Sequence, residues 1–138
     1  MLSGYFDPRG RPYLEARVLA DSGLVATVQL VVDTGSERTA VHGAVAVALL
    51  LPDQRAEFLV MGIAGAARYS QRPVLLLFDE PGVGTRAFGI DLLVAGPGAP
   101  PVPSILGQDV LRHLAMTHDP SNGVLTFEVR HADVTLGL

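Results

Sequence analysis

The apolar residues of this chain come in short runs that glycine and proline interrupt. The 138 residues include 15 glycines and 10 prolines, and 49% are hydrophobic. Short runs rich in Val and Leu, bounded by turn-forming residues, are typical of β-strands rather than of long helices. The length is that of an ordinary single domain. We therefore predict one mostly β domain spanning residues 1–138.

The first half of the chain predicts a hairpin that ends in a polar loop. Leu14–Ala20 and Leu24–Val32 have the composition of strands, and Asp21-Ser22-Gly23 between them suits a tight turn. The second strand runs directly into Asp33-Thr34-Gly35-Ser36. This polar segment therefore lies where the second strand ends and a loop begins.

The rest of the chain predicts further short strands and two helices. The expected strands are Thr39–His42, Phe58–Met61, Tyr69–Leu77, Ala87–Ala95, Ala115–His118 and Val124–Val129, and the expected helices are Gly43–Leu51, ended by Pro52, and Gln108–Leu114. Small residues from Gly62 to Ala67 form a predicted hairpin tip, and a Pro/Gly-rich loop runs from Gly96 to Pro103. The sequence shows neither an internal repeat nor an interdomain linker.

Charge and hydropathy argue against two classes of partner. The formal net charge is −4, and the 10 basic residues, all arginines, are scattered singly, so no basic face is available for phosphates. The longest apolar run, Ala44–Leu51, is far shorter than the ~20 residues of a membrane-spanning helix. No signal peptide pattern opens the chain. We expect a cytoplasmic protein that binds neither nucleic acid nor membrane.

Metal and redox chemistry have little support in the residue types present. Without cysteine, neither a disulfide nor a thiolate metal site is possible. The four histidines, His42, His113, His118 and His131, include no i, i+4 pair and fit surface or turn positions better than a metal site. No metal or cofactor is expected. The positive mean hydropathy of +0.36 fits either apolar surface buried between two chains or a tightly packed core.

The candidate reactive group is the carboxylate of Asp33. Val31 and Val32 hold it at the end of a predicted buried strand, and Gly35 lets the backbone turn sharply because it has no Cβ. The Ser36 hydroxyl is able to donate a hydrogen bond to a carboxylate oxygen. The loop is therefore suited to exposing and orienting an acid in a cleft.

A single carboxylate is poorly suited to the hydrolysis of a peptide bond. A base must take a proton from water, while an acid protonates the carbonyl oxygen and later the leaving amine. Two carboxylates within ~3 Å that share one proton perform both roles, because they cannot both ionise. The chain contains one suitable loop, so we predict that a second, two-fold-related copy supplies the other carboxylate.

Three motifs along the chain resemble those of the retropepsins, the retroviral-type aspartic proteases, in a bacterial-type single-domain form. They are Val31-Val32-Asp33-Thr34-Gly35-Ser36, the glycine-rich segment Gly62–Gly65, and Ile105-Leu106-Gly107-Gln108-Asp109-Val110-Leu111. Their order and spacing match that family over residues 14–129. The resemblance implies a closed β barrel with one or two short helices, a glycine-rich flap hairpin, and a homodimer that cleaves peptide or protein substrates with an activated water.

The resemblance also implies roles for individual residues. Asp33 is the catalytic residue, Thr34 bonds across the dimer, and Gly35 and Ser36 support the loop. The structural residues under the active site are Ile105, Leu106 and Gly107, and the substrate-binding or flap residues are Val41, Gly62, Ile63, Ala64, Gly65 and Val102. The loop Gly96 to Pro103 walls the pocket beside the cleaved bond. Because the pocket residues are apolar, we expect apolar side chains on both sides of that bond.

The chain departs from the family pattern at one ion pair. Retropepsins usually carry Arg directly after the hydrophobic-hydrophobic-Gly element, paired with an Asp four positions after the catalytic Asp. Gln108 and Glu37 occupy these places here. Glu37 is left to bond to the Gln108 amide or to pair with Arg38 or Arg112. An amide makes a weaker hydrogen bond to a carboxylate than a guanidinium does. We therefore expect the loss of this ion pair to affect the affinity of the dimer.

Other interpretations of the Asp-containing loops have less support. Asp21-Ser22-Gly23 also spells D-[ST]-G, but it lies too close to Asp33 to belong to a second lobe, and a hairpin turn explains it. A D-x-G-[ST] loop binds phosphate in actin-like ATPases, but that fold needs a much longer chain. The sequence thus predicts an aspartic endopeptidase, and the alternative is a catalytically inactive, dimeric binding module with the same fold.

Overall fold

β-strands dominate the structure, as the sequence predicts. The computed structural model describes residues 1–49, 58–62, 65–96 and 103–137. The strands are β1 (Leu2–Ser3), β2 (Tyr5–Phe6), β3 (Pro12–Leu19), β4 (Val25–Val32), β5 (Ala40–Val41), β6 (Phe58–Gly62), β7 (Gly65–Glu80), β8 (Gly84–Ala95), β9 (Ile105–Leu106), β10 (Leu114–Asp119), β11 (Val124–Val129) and β12 (Val134–Gly137). The helices are α1 (Gly43–Ala48), α2 (Gln108–Leu111) and a short 3-10 turn, Pro120–Asn122.

Among the described strands, six close into a barrel. Its order is β3, β4, β9, β5, β8 and β7, and β7 pairs with β3 to complete the ring. The strands β2, β6 and β12 extend from β3, β7 and β8, while β1, β11 and β10 form a separate three-stranded sheet. The predicted closed barrel with short helices is confirmed.

The first hairpin forms because alternate side chains of β3 and β4 point to one core. The buried, inward side chains are Leu14, Ala16, Val18, Val28, Leu30 and Val32. At the turn, Gly23 has a φ of 86° and its N–H donates to the Ala20 carbonyl at 3.0 Å, a left-handed conformation that glycine adopts without strain. The sequence predicted this hairpin and its turn correctly.

Several element boundaries differ from the sequence-based expectation. β7 and β8 pair continuously from Tyr69 opposite Ala95 to Glu80 opposite Gly84, so both strands extend beyond their predicted ends. α2 stops at Leu111 because Leu114 already pairs with Val129 in the three-stranded sheet. Strands β1, β2 and β12 were not predicted at all.

The first helix also ends earlier than expected. α1 ends at Ala48, and Leu49 acts as its C-cap. The predicted helix end at Leu51 and the Pro52 stop lie outside the described residues. Within those residues, no helix is both long enough and apolar enough to cross a membrane.

The core lies directly beneath the Asp33 loop. Val32, Leu106 and Val110 belong to one buried cluster with the inward residues of the barrel, and Leu106 and Val110 are fully buried. Truncating a buried leucine to alanine costs about 2–5 kcal/mol. The loop that carries Asp33 therefore rests on a rigid base.

Candidate active site

The Asp33 loop arches over strand β9. β9 lies between β4 and β5, pairing parallel to β4 through Val32 opposite Leu106 and antiparallel to β5 through Ile105 opposite Ala40. The Asp33 N–H continues the first ladder by donating to the Leu106 carbonyl at 3.0 Å. The chain thus leaves β4 at Asp33 and returns as β5 on the other side of β9, with β9 crossing beneath.

One backbone donor orients the Asp33 carboxylate. The side chain is half-buried, and its Oδ1 accepts a hydrogen bond from the Gly35 N–H at 3.0 Å. The Ser36 N–H donates to the Asp33 carbonyl at 3.1 Å. The Ser36 hydroxyl donates to the Arg38 carbonyl at 2.8 Å, so it supports the loop backbone rather than the carboxylate, contrary to the expectation from sequence.

The start of α2 fastens the loop from below. The Gln108 N–H donates to the Ser36 carbonyl at 2.8 Å, and the Asp109 N–H donates to the Glu37 carbonyl at 3.1 Å. The Gln108 side-chain amide donates to the Thr34 carbonyl at 3.0 Å. Gln108 thus braces the loop within one chain and does not bond to Glu37.

Glu37 makes none of the pairings left open for it. It is exposed, and it forms no ion pair or side-chain hydrogen bond within the described part of the chain. Arg112 instead donates through Nε to the Gln108 carbonyl at 2.9 Å, and Arg38 bonds to Gln71. Glu37 is therefore a surface carboxylate that has no partner among the described residues.

A buried polar network, which no local sequence pattern indicates, joins the two ends of the site. Thr39 is fully buried. Its hydroxyl donates to Asp109 Oδ1 at 2.7 Å and accepts from the Gly107 N–H at 3.1 Å, while its own N–H donates to Asp109 Oδ2 at 3.0 Å. Every polar atom in this network has a partner, which makes such a network rigid.

The glycine-rich hairpin lies where β6 ends and β7 begins. β6 and β7 pair up to Gly62 opposite Gly65, which leaves two residues to turn the chain. These two, Ile63 and Ala64, lie outside the described residues. The backbone therefore confirms a hairpin at the predicted position.

One predicted pocket residue, Val41, is less accessible than expected. Val41 is 2% exposed and belongs to the core cluster, so its side chain packs inside the barrel of the single chain. Val102 and most of the loop from Gly96 to Pro103 lie outside the described residues. Ile105 is half-buried in β9, opposite Val31 of β4.

The other D-[ST]-G sequence, Asp21-Ser22-Gly23, occupies a different environment from the Asp33 loop. Asp21, Ser22 and Gly23 are exposed at the turn between β3 and β4, and Ser22 donates to the Leu49 carbonyl at 3.2 Å. This segment is a hairpin turn, as predicted. Within the described residues, no group of three or more His, Cys, Asp or Glu is placed to hold a metal ion.

Comparison with solved structures identifies the fold. A retropepsin-like aspartic protease from Rickettsia conorii matches with a TM-score of 0.66 and 15% sequence identity, covering 92% of this chain and 88% of that one. The EIAV protease, solved with the inhibitor HBY-793, matches with a TM-score of 0.56 and 20% identity, covering 78% of this chain and 90% of that one. No protein-family model and no curated protein sequence matches the chain. The chain therefore has a retropepsin-like fold.

Proposed function

We propose that this chain is an aspartic endopeptidase that works as a homodimer, with the two copies of Asp33 facing each other across a two-fold axis. The observation that carries the proposal is the Asp33 loop: a half-buried carboxylate, held by the Gly35 N–H at 3.0 Å on a loop braced by β9 and α2. Packing alone does not require a carboxylate there. The retropepsin-like fold supports the same function.

The reaction follows from two carboxyl groups that share one proton. The ionised Asp33 takes a proton from a water molecule as the water oxygen attacks the carbonyl carbon, and the protonated Asp33 gives its proton to the carbonyl oxygen. The tetrahedral diol then collapses: the C–N bond breaks, the leaving nitrogen receives a proton from one carboxyl, and a diol hydroxyl returns a proton to the other. The dyad ends with one proton, as it began.

The roles of the neighbouring residues follow from their positions. Thr34, exposed beside Asp33, is proposed to bond across the dimer, and the hairpin around Gly62 and Gly65, with Ile63 and Ala64 at its tip, to close over an extended peptide. Ile105, Leu106 and Gly107 hold the loop from beneath. The substrate side chains on both sides of the cleaved bond are proposed to be apolar, and Val102 is proposed to line the pocket that binds them.

The experiment compares three proteins on the same substrates. Wild type, Asp33→Asn and Asp21→Asn are each incubated with a denatured protein and a random peptide library over roughly pH 4 to pH 8. We expect wild type and Asp21→Asn to cleave equally, since Asp21 lies in the exposed turn, and Asp33→Asn to lose at least about 100-fold in rate. Equal cleavage by Asp33→Asn would contradict the assignment. Peptide binding without cleavage by wild type would indicate a binding module.

A further inference from the structure

A groove lies on the outer surface of the barrel beside the turn between β3 and β4. It has a volume of about 460 Å³ and is open to solvent rather than enclosed. Its walls come from the end of β3 with the following turn, from β7 and from β8. None of the described residues that line it belongs to the Asp33 loop, to β9 or to the hairpin at Gly62 and Gly65. The groove is therefore a feature separate from the candidate active site.

The floor of the groove is apolar, and its shape depends on Gly89. Pro73 and Leu75 of β7 are exposed, Leu75 by 38%, and the register places Leu75 opposite Gly89 of β8. Because Gly89 has no side chain, the surface is recessed there, and a Cβ on it would lie 3.7 Å from the nearest side-chain atom. The continuous pairing of β7 with β8 fixes these positions. The groove is preformed, which lowers the entropic cost of binding.

Two carboxylates border this apolar floor. Asp21 in the turn and Asp91 in β8 both line the groove, and both are exposed. Neither side chain forms an ion pair with the described part of the chain, and Arg38 reaches Asp91 only at its backbone carbonyl, at 2.7 Å. Aspartate side chains are ionised at neutral pH. The border of the groove therefore carries negative charge that no ion pair within the described residues neutralises.

The apolar floor and the acidic border together determine the chemistry of an occupant. An apolar side chain placed over Pro73, Leu75 and Gly89 removes their exposed surface from water. A cation beside it pairs with Asp21 or Asp91, and the guanidinium of arginine matches a carboxylate with two parallel hydrogen bonds. An open groove covers a few side chains, whereas a site for a small molecule buries most of its ligand. The groove thus suits a segment of a larger partner.

We propose that this groove binds a short peptide segment of a partner protein, one that presents Arg or Lys next to an apolar side chain. The inference goes beyond the proposed endopeptidase function and does not depend on cleavage, because the residues that line the groove are not those of the Asp33 loop. The loss of Asp21 or Asp91 therefore acts on the binding of this partner and not on the reaction at Asp33.

The test selects binding peptides and discards those that do not need the groove. A displayed library of short random peptides is bound to Asp33→Asn, so that no turnover is required. Peptides that also bind the double variant Asp33→Asn, Gly89→Leu are discarded, because its added side chain fills the groove. Urea unfolding checks that the double variant is folded, and Leu75→Arg takes the place of Gly89→Leu if it is not. We expect the remaining peptides to be enriched in Arg or Lys next to an apolar residue.

The affinity of one selected, labelled peptide then tests the two carboxylates. Fluorescence anisotropy gives its dissociation constant for Asp33→Asn alone and combined with Asp21→Asn, Asp91→Asn, Asp91→Glu or Glu128→Gln. We expect each Asp→Asn change in the groove to weaken binding by about 3- to 10-fold, the size of one partly exposed charge pair, and Asp91→Glu to keep most of the affinity. Glu128→Gln removes the same charge from an exposed position on the other sheet and leaves the affinity unchanged.

Several outcomes would overturn the inference. They are a library with no peptide left after the discarding step, remaining peptides without basic residues, and equal affinities for the Asp→Asn variants and their parent. A dimer that dissociates in Asp91→Arg, measured by sedimentation, would show that a second copy of this chain occupies the groove. Failure of the proposed endopeptidase is distinguishable, because it appears as the absence of cleavage by wild type and leaves peptide binding to the groove measurable.

Discussion

Thr39 shows how much of this site depends on a single buried polar side chain. Its hydroxyl and N–H connect Asp109 and Gly107 beneath the loop, and Asp109 lies 70 residues further along the chain. A threonine before a short strand carries no local signal of such a role, since nothing in the neighbouring residues indicates its partner. The pairing becomes visible only once β5 and β9 are adjacent.

Gly107 occupies a place where any side chain collides with the loop. A Cβ built on it would lie 2.5 Å from both the carbonyl carbon and the oxygen of Arg38 and 2.8 Å from its nitrogen. These are backbone atoms and cannot rotate away. We predict that Gly107→Ala destabilises the protein by about 1–3 kcal/mol, the usual cost of overpacking, and lowers kcat by shifting the segment between Asp33 and Thr39. Urea unfolding and peptide cleavage measure the two effects.

A second glycine supplies the control for this prediction. A Cβ on Gly89 would lie 3.7 Å from Asp133 Oδ2 and 3.8 Å from a Leu75 methyl, which are ordinary contacts. Gly89→Ala should therefore change the free energy of unfolding by no more than about 0.5 kcal/mol. If Gly107→Ala were as stable as Gly89→Ala, the Arg38 backbone would have to be free to move.

At the scale of elements, local patterns were predictable and long-range pairings were not. The β3–β4 hairpin was predicted because alternation and Gly23 lie within one short stretch. The Asp33 loop and the 105–107 element were predicted because their motifs are contiguous. The continuation of β7 to Glu80 was missed, since a charged end normally signals a loop, and here pairing with β8 carries the strand through it. β12 was missed because all four of its residues are exposed.

The end of the β7–β8 hairpin is held by a buried carboxylate. Glu80 is 6% exposed and lies 2.7 Å from Arg86 Nε and 2.8 Å from the Met1 ammonium. Burial by itself raises the pKa of Glu80, but the hydrogen bonds from these two cations outweigh it and hold the pKa below its ordinary value of 4.5. Arg86 also donates to Thr135 of β12 at 3.0 Å, so Glu80 connects the hairpin to β12.

The lowered pKa of Glu80 predicts a pH-dependent contribution to stability. Because the folded-state pKa is below the unfolded value, the contribution is complete above about pH 4.5 and is lost as the pH falls through the folded pKa. We expect Glu80→Gln to cost about 1–3 kcal/mol near neutral pH and the difference from wild type to shrink in acid. Urea unfolding of both proteins at several pH values, from neutral down to strongly acidic, measures this.

An exposed ion pair provides the comparison for Glu80. Glu128 is 57% exposed and lies 3.5 Å from Arg130, so Glu128→Gln should have little effect at any pH. A Glu80→Gln difference that stayed constant down to strongly acidic pH would show that the carboxylate does not titrate differently in the folded and unfolded states.

For the whole molecule, the proposed dyad makes activity depend on association. The three-stranded sheet has β1 and β10 as its edge strands within the described residues, and it exposes apolar side chains on two of its strands: Met116 of β10 is 39% exposed and Val124 of β11 is 37% exposed. We propose that the strands near both termini, including Val124–Val129, contribute contacts to the dimer. Association through this sheet would cover surface that is costly to leave in water.

We predict that the rate of cleavage per chain falls on dilution, because the dimer dissociates. We also predict that Met116→Glu weakens the dimer by at least about 10-fold, because the interface must then desolvate a carboxylate. Leu75→Glu is the matched control, since Leu75 is similarly exposed, at 38%, on barrel strand β7, and its dimer should match that of wild type. Sedimentation velocity over a range of concentrations gives both dissociation constants. Unchanged dimerisation of Met116→Glu would place the interface elsewhere, whereas a folded wild type that remained monomeric at micromolar concentration would contradict the homodimer and, with it, the shared-proton mechanism at Asp33.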